Sequence, residues 1–140
     1  MIILDTNVLS ELMKPEPYPA VLAWVADQPA TELFTTSITE AEIFLGIELL
    51  SKGRRRDALL AAAEKLFEIE FAGRVFGFED DAARAFSRMA AHRRSIGRPI
   101  SQADAQVAAI AQVRRAKLAT RNAGDFAECR VDVVNPWERP

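Results

Sequence analysis

The chain predicts an α/β fold, a short-stranded, mainly parallel sheet flanked by helices, and three observations carry that expectation. Ile2-Ile3-Leu4 is a short apolar run that stops on the carboxylate of Asp5. Such a run fits a strand buried on both faces, as in a parallel sheet covered by helices. Strand-like and helix-like segments then alternate through most of the chain, as a parallel sheet with crossover helices requires. Finally, Ser101 to Ala116 is rich in alanine and valine, small side chains that let a helix lie close to a sheet.

The elements follow in order. After the first strand, Val8 to Met13 reads as a short helix ended by Lys14-Pro15-Glu16-Pro17, and the prolines at 15, 17 and 19 forbid helix through that loop. Ala20 to Asp27 resumes helix and Gln28-Pro29 ends it; Glu32 to Thr35 is the second strand. Thr39 to Leu50 is a helix whose apolar stripe is Ile43, Ile47 and Leu50, widened by Leu45 and Leu49. Gly53 breaks it, and Arg54 to Phe67 forms another. Arg74 to Phe78 is the third strand. Glu79 to Ile96 is a long helix stopped by Gly97 and Pro99. Ser101 to Ala116 is helix, Lys117 to Thr120 the fourth strand, and Val131 to Val134 the fifth.

A chain of 140 residues fits a single domain over 1–140, with no repeat or linker, and can bury enough surface to fold without metal or disulfide. The only cysteine is Cys129, so no internal disulfide forms and a reducing compartment is the natural expectation. No signal peptide is expected, since there is no basic n-region and Asp5 interrupts the N-terminal apolar run, and no segment approaches a membrane span. A cytoplasmic location follows. The net charge of −2 argues against a protein coated in positive charge to grip nucleic acid. Its cations are clustered: Lys52 with Arg54, Arg55 and Arg56; Arg93 with Arg94 and Arg98; Arg114 with Arg115, Lys117 and Arg121. Each knot reads as a solvated helix end, although local patches still suffice to contact a short polyanion.

Four acids stand out. Asp5 follows the first strand, at the sheet edge where ligands bind in open α/β folds, and also suits an N-cap. Glu42 lies three residues after Thr39, a capping-box spacing, and shares a helix face with Leu45, Gly46 and Leu49. A carboxylate on an apolar stripe costs several kcal/mol unless something pairs with it. Asp104 repeats the arrangement after Ser101, on a face with Val107, Ala108 and Ala111. Asn122 and Asp125 follow the fourth strand, where turn formation is their common use. Two acids after strands and two opening inward-facing helices can converge at one sheet edge. Clustered carboxylates repel unless a cation compensates, and oxygen-only ligands select a hard ion, Mg²⁺ or Mn²⁺. The single histidine, His92, reads as surface. The chemistry this suggests is metal-assisted phosphoryl transfer, in which a cation held by carboxylates acidifies a water and neutralises a phosphate oxygen.

The motifs Leu4-Asp5-Thr6-Asn7-Val8-Leu9-Ser10-Glu11, Ile38-Thr39-Glu40-Ala41-Glu42-Ile43-Phe44-Leu45-Gly46, the run from Ile100 to Ala111 with Asp104 inside it, Ala119-Thr120-Arg121-Asn122-Ala123-Gly124-Asp125-Phe126 and Val133-Val134-Asn135-Pro136-Trp137 together resemble a PIN domain of the VapC/FitB type of bacterial toxin ribonuclease. The resemblance runs over essentially the whole chain. It implies a PIN-like fold, Mg²⁺- or Mn²⁺-dependent endonuclease activity on RNA, a homodimer, and inhibition by a small cognate antitoxin. Asp5, Glu42 and Asp104 fall on the family's signature acids, and Thr6 on a hydroxyl that orders the first acid. At the fourth acidic position many relatives carry Asp after Thr-Arg; this chain has Asn122, with Asp125 three places later. The expected catalytic and metal-holding set is Asp5, Glu42, Asp104 and Asp125, with Thr6, Asn122 and Arg121 orienting water or metal or contacting substrate. A haloacid-dehalogenase-like phosphatase needs a second Asp where Asn7 stands, and a glycosidase needs only two carboxylates. The remaining alternative is a non-catalytic PIN-like module that binds RNA or a protein.

Overall fold

The computed structural model describes residues 1–138, so the last two positions of the single domain expected over 1–140 lie outside the described residues. Five strands form one sheet: β1 (Ile2–Leu4), β2 (Leu33–Thr36), β3 (Val75–Phe76), β4 (Lys117–Ala119) and β5 (Val133–Val134). Six α-helices surround it: α1 (Thr6–Leu12), α2 (Pro19–Ala26), α3 (Ser37–Glu48), α4 (Arg54–Lys65), α5 (Asp80–Ser95) and α6 (Gln102–Arg114). The strand order is β3-β2-β1-β4-β5 and every pairing is parallel. Both the sheet and its helical covering are those the sequence predicts.

Side chains alternate across a strand, so neighbours in β1 and β4 serve opposite faces. Ile3 and Leu118 pack with α5 and α6, against Ala82, Ala85, Met89 and the Val107–Ala111 run. Leu4 and Ala119 pack on the other side with Val8 and Leu9 of α1, Val21 of α2, and Ile43 and Ile47 of α3. The alanines at 105, 108, 109 and 111 are at most 1% exposed, which is how α6 sits close on the sheet.

Element ends differ from expectation where capping decides them. Pro19 is not part of the loop but the first residue of α2, where a missing N–H costs nothing. The helix expected from Thr39 begins at Ser37, because Thr36 caps it by accepting from the Thr39 N–H at 3.1 Å. The helix expected over 54–67 ends at Lys65 and continues as a wider π-type turn, Leu66–Glu70. The strands expected over 74–78 and 131–134 shorten to two residues each.

Two burial expectations are overturned. Leu45 and Leu49 do not widen the stripe of α3; they are 59% and 77% exposed, while Thr39, Ile43 and Ile47 are buried. Starting the helix at Ser37 does not change spacing, so the reason lies in packing: α3 is covered along its 39-43-47 edge by α1 and α4, and its 42-45-49 edge faces outward. Arg93, expected on a solvated helix end, is buried. His92 is exposed, as expected.

Candidate active site

The chain leaves β1 toward β2 and β3 on one side and returns to β4 and β5 on the other, so the seam between β1 and β4 is the switch point at which open α/β sheets bind ligands. Leu4 pairs with Ala119 in the last register step of that seam. The next residues, Asp5 and Thr120, therefore emerge side by side at the carboxyl edge, and the Asp5 N–H donates to the Ala119 carbonyl at 3.0 Å.

Asp5 is buried and both its oxygens are held. Oδ1 accepts from the Thr6 N–H at 2.8 Å, and Oδ2 accepts from the Thr120 hydroxyl at 2.8 Å. Asp5 does occupy the N-cap position of α1, so the capping and site readings coexist on one residue. Having donated its only proton, the Thr120 oxygen uses its lone pairs to accept from Asn7 Nδ2 at 3.1 Å and from the Asn122 N–H at 3.2 Å. The Asn7 carbonyl oxygen in turn accepts from the Arg121 N–H at 3.1 Å. One amide side chain thus ties the turn after β4 to the start of α1.

Glu42 reaches the same corner from α3. The Thr6 hydroxyl donates to Glu42 Oε1 at 2.7 Å and stands 3.2 Å from Thr39 Oγ1. Glu42 is on the exposed face of α3, not on a buried apolar stripe, and Thr39 is not its capping partner. Asp104 does show the arrangement expected of it: Ser101 caps α6, accepting from the Asp104 N–H at 3.2 Å. Asp125 lies in the short 3-10 turn Ala123–Phe126, exposed, with Asn122 at its N-cap position and Arg121 exposed just before it. The Arg121 guanidinium stacks 5.1 Å from the centroid of Trp137.

The electrostatics show these acids sharing one field. Burial pushes the Asp5 carboxyl above its ordinary pKa; the bonds from Thr120 and Thr6 oppose that, and the charges of Asp104 and Glu42 add to it. Asp104 is likewise raised, first by burial; Ser101 opposes, Asp125 and Glu42 add, and the Arg93 cation pulls it back. Asp5 and Asp104 are bonded through neutral groups, so a buried negative charge is left for a proton or an added cation to balance. Oxygen-only donors fit a hard cation. Among the described residues, no three His, Cys, Asp or Glu side chains form a ready-made metal cage, so such an ion would keep part of its own water shell.

Three residues to which sequence reasoning gave no role in the site organise this corner. Thr120 and Asn7 were visible only as parts of a motif, and their common signal was polar residues placed immediately after strand ends. Arg93 gave no such signal. Its guanidinium donates to the carbonyls of Arg98 at 2.6 Å, Asp125 at 2.8 Å and Ala127 at 3.0 Å, pinning the turn that carries Asp125.

Known proteins resemble this chain along its whole length. The PIN domain family model matches residues 2–131. The VapC ribonuclease Y4jK of Sinorhizobium fredii is 39% identical over 138 residues, covering 99% of each chain. Toxin FitB of Neisseria gonorrhoeae is 35% identical over 137 residues, covering 98% of this chain and 99% of FitB. Among solved structures, FitAB bound to the IR36 DNA fragment superposes with a TM-score of 0.93 at 34% identity, over all of this chain and 98% of the matched one. Matched by that model and by full-length relatives, with the same sheet and helices, this chain belongs to the PIN domain family.

Proposed function

We propose that the protein is the toxin of a toxin–antitoxin pair, a Mg²⁺- or Mn²⁺-dependent endoribonuclease that hydrolyses RNA phosphodiesters. The observation that carries this reading is the buried, neutrally bonded Asp5 in the shared field of Glu42 and Asp104, an anionic corner at the sheet's switch point. The names of the relatives, a VapC ribonuclease and toxin FitB, support it.

On this reading Asp5, Glu42, Asp104 and Asp125 would hold the ion, in part through its own waters, and when bound it would supply acidification of water and neutralisation of charge on a phosphate oxygen. The chain's own part is positioning. The Thr6 N–H and the Thr120 hydroxyl fix the plane of the Asp5 carboxylate, the Thr6 hydroxyl aims Glu42, and Ser101 steadies Asp104. Arg93 fixes the turn that presents Asp125. Asn122 supplies no charge, so the acid of that turn is Asp125. Arg121, exposed and adjacent, contacts substrate. Structures of relatives in complex with partners, FitAB with DNA and FitAcB, support a small cognate antitoxin as partner; a homodimer is the assembly proposed.

The deciding experiment is cleavage of RNA by purified protein with Mg²⁺ or Mn²⁺, beside the same protein in chelator and beside Asp5→Asn. Cleavage that needs the cation and disappears in Asp5→Asn supports the proposal. Cleavage that persists in either control refutes the mechanism. RNA or partner binding with no cleavage at all would make the chain a non-catalytic module.

A further inference from the structure

Away from the carboxylates, α5, α6 and residues 128–130 enclose a cavity of about 730 Å³, a size typical of sites for small ligands. Its floor is apolar, formed by Met89, Val113 and Cys129, and its rim carries Arg88, Arg115 and Arg130. All three guanidiniums are exposed, and among the described residues none makes an ion pair or a side-chain hydrogen bond. The rim's carboxylate, Glu128, stands 3.5 Å from His92. In a chain of net charge −2, this is a local excess of unspent positive charge.

The backbone around the cavity is unusual too. Three non-glycine residues in the described chain adopt a left-handed conformation: Arg115 (φ 54°), Glu128 (φ 63°) and Arg130 (φ 54°). All three line this cavity. That of Arg115 is the left-handed C-cap of α6, a common helix ending; those of Glu128 and Arg130 lie in the loop before β5, where such conformations are disfavoured for residues with a Cβ and gather at binding and switch sites. Two of them place a guanidinium on the rim. The cavity is also continuous with the acidic corner along the chain. Arg93 Nη1 donates to the carbonyls of Asp125 and Ala127 and lies 3.5 Å from Cys129 Sγ, so one guanidinium nitrogen touches both the turn that carries Asp125 and a residue of the cavity floor.

We infer that this cavity binds the phosphate backbone of single-stranded RNA, as a second contact for the strand whose cleavage is proposed at Asp5; the inference rests on that reading. Guanidiniums match phosphate oxygens in geometry and charge. The acidic corner repels an RNA strand in every state without a cation, so affinity must come from elsewhere on the chain. Arg121 provides one cation beside the acids, and the three unpaired arginines of the rim provide a second group, Arg115 lying 11 residues along α6 from Asp104, about 16 Å away and within reach of a few nucleotides of strand.

The test is fluorescence anisotropy of a labelled single-stranded RNA on the full chain, in chelator so that no cutting occurs, across a range of salt. The variants are Arg88→Glu/Arg115→Glu/Arg130→Glu and the milder Arg88→Gln/Arg115→Gln/Arg130→Gln, each checked by thermal melt. Affinity is expected to fall about tenfold or more, and the slope of log affinity against log salt to flatten by about two, as loss of three single-strand phosphate contacts requires. Unchanged affinity and slope in whichever variant folds would overturn the inference. So would displacement of RNA by poly-glutamate as effectively as by unlabelled RNA, which would assign the cavity to an acidic polypeptide. Because no arm depends on cleavage, failure of the nuclease reading would show separately, as intact binding without cation-dependent cutting.

Discussion

The Thr120 hydroxyl donates to Asp5 Oδ2 across the β1–β4 seam while its oxygen accepts from both the Asn7 amide and the Asn122 N–H. Two chain segments 115 positions apart are therefore joined through one oxygen that uses all of its hydrogen-bonding capacity. The contact is buried on both sides, and it opposes the rise in the Asp5 pKa that burial causes.

Thr120→Val keeps the shape of the side chain and removes every one of these bonds. It leaves a buried carboxylate oxygen and two N–H groups short of a partner, at a cost of about 1–3 kcal/mol. We expect a lower urea midpoint, and RNA cleavage reduced more than stability alone would explain. Thr120→Ser, which retains the hydroxyl, is expected to recover both. A valine variant as stable as the parent would show that the seam does not depend on this oxygen.

The sheet was legible because its signals are local: apolar triplets that stop on polar residues, and helices between them. Asp5 and Asp104 were legible for the same reason, each sitting beside a strand end or a cap that its neighbours announce. Glu42 was found by wrong intermediate steps. Its spacing from Leu45 and Leu49 suggested a buried stripe, yet which edge of α3 is covered is set by where α1 and α4 pack, and no local period encodes that. Arg93 was misread as a solvated helix end, because its partners are backbone carbonyls up to 34 residues away, which carry no residue-type signal.

The exposed edge of α3 gives a direct check. Leu49 is 77% exposed, so Leu49→Lys is expected to change stability by no more than about 0.5 kcal/mol, as surface substitutions usually do. Ile47→Ala, two residues back on the covered edge, is expected to cost about 2–5 kcal/mol. Equal losses measured by chemical denaturation would mean that both edges of α3 are buried.

Arg93 allows a sharper separation between holding the fold and holding the site. Arg93→Met fills similar volume but leaves the carbonyls of Arg98, Asp125 and Ala127 without their donor, and destabilisation of several kcal/mol is expected. Arg93→Lys keeps the charge that restrains the Asp104 pKa but cannot serve three divergent acceptors. Its amides over 122–127 are expected to exchange with solvent faster than in the parent, with the β1–β4 core unchanged. Exchange accelerated equally throughout would show that Arg93 supports the whole fold and not this turn.

Asp5 and Asp104 both have carboxyls raised in the folded state, and this fixes the sign of their pH effect. A raised pKa means that the folded chain binds the proton more tightly than the unfolded chain does. Below the ordinary carboxylate value of about 3.9 both states are protonated and the groups cost nothing. As pH rises through the raised values the folded state must carry the repelling charges, and stability from these groups is lost. Asp104→Asn removes one charge while keeping a polar group at the cap, so its melting temperature at pH 7 is expected to exceed the parent's by up to about 3 °C. That advantage should shrink as pH falls and vanish below the ordinary carboxylate range, where the group is protonated in the folded and the unfolded parent alike. It should also shrink at pH 7 when Mg²⁺ or Mn²⁺ is added, because an ion that binds only the folded parent stabilises it by mass action. A parent melting temperature indifferent to both cations, together with a variant no more stable than the parent at pH 7, would mean that these carboxylates neither strain one another nor hold a metal.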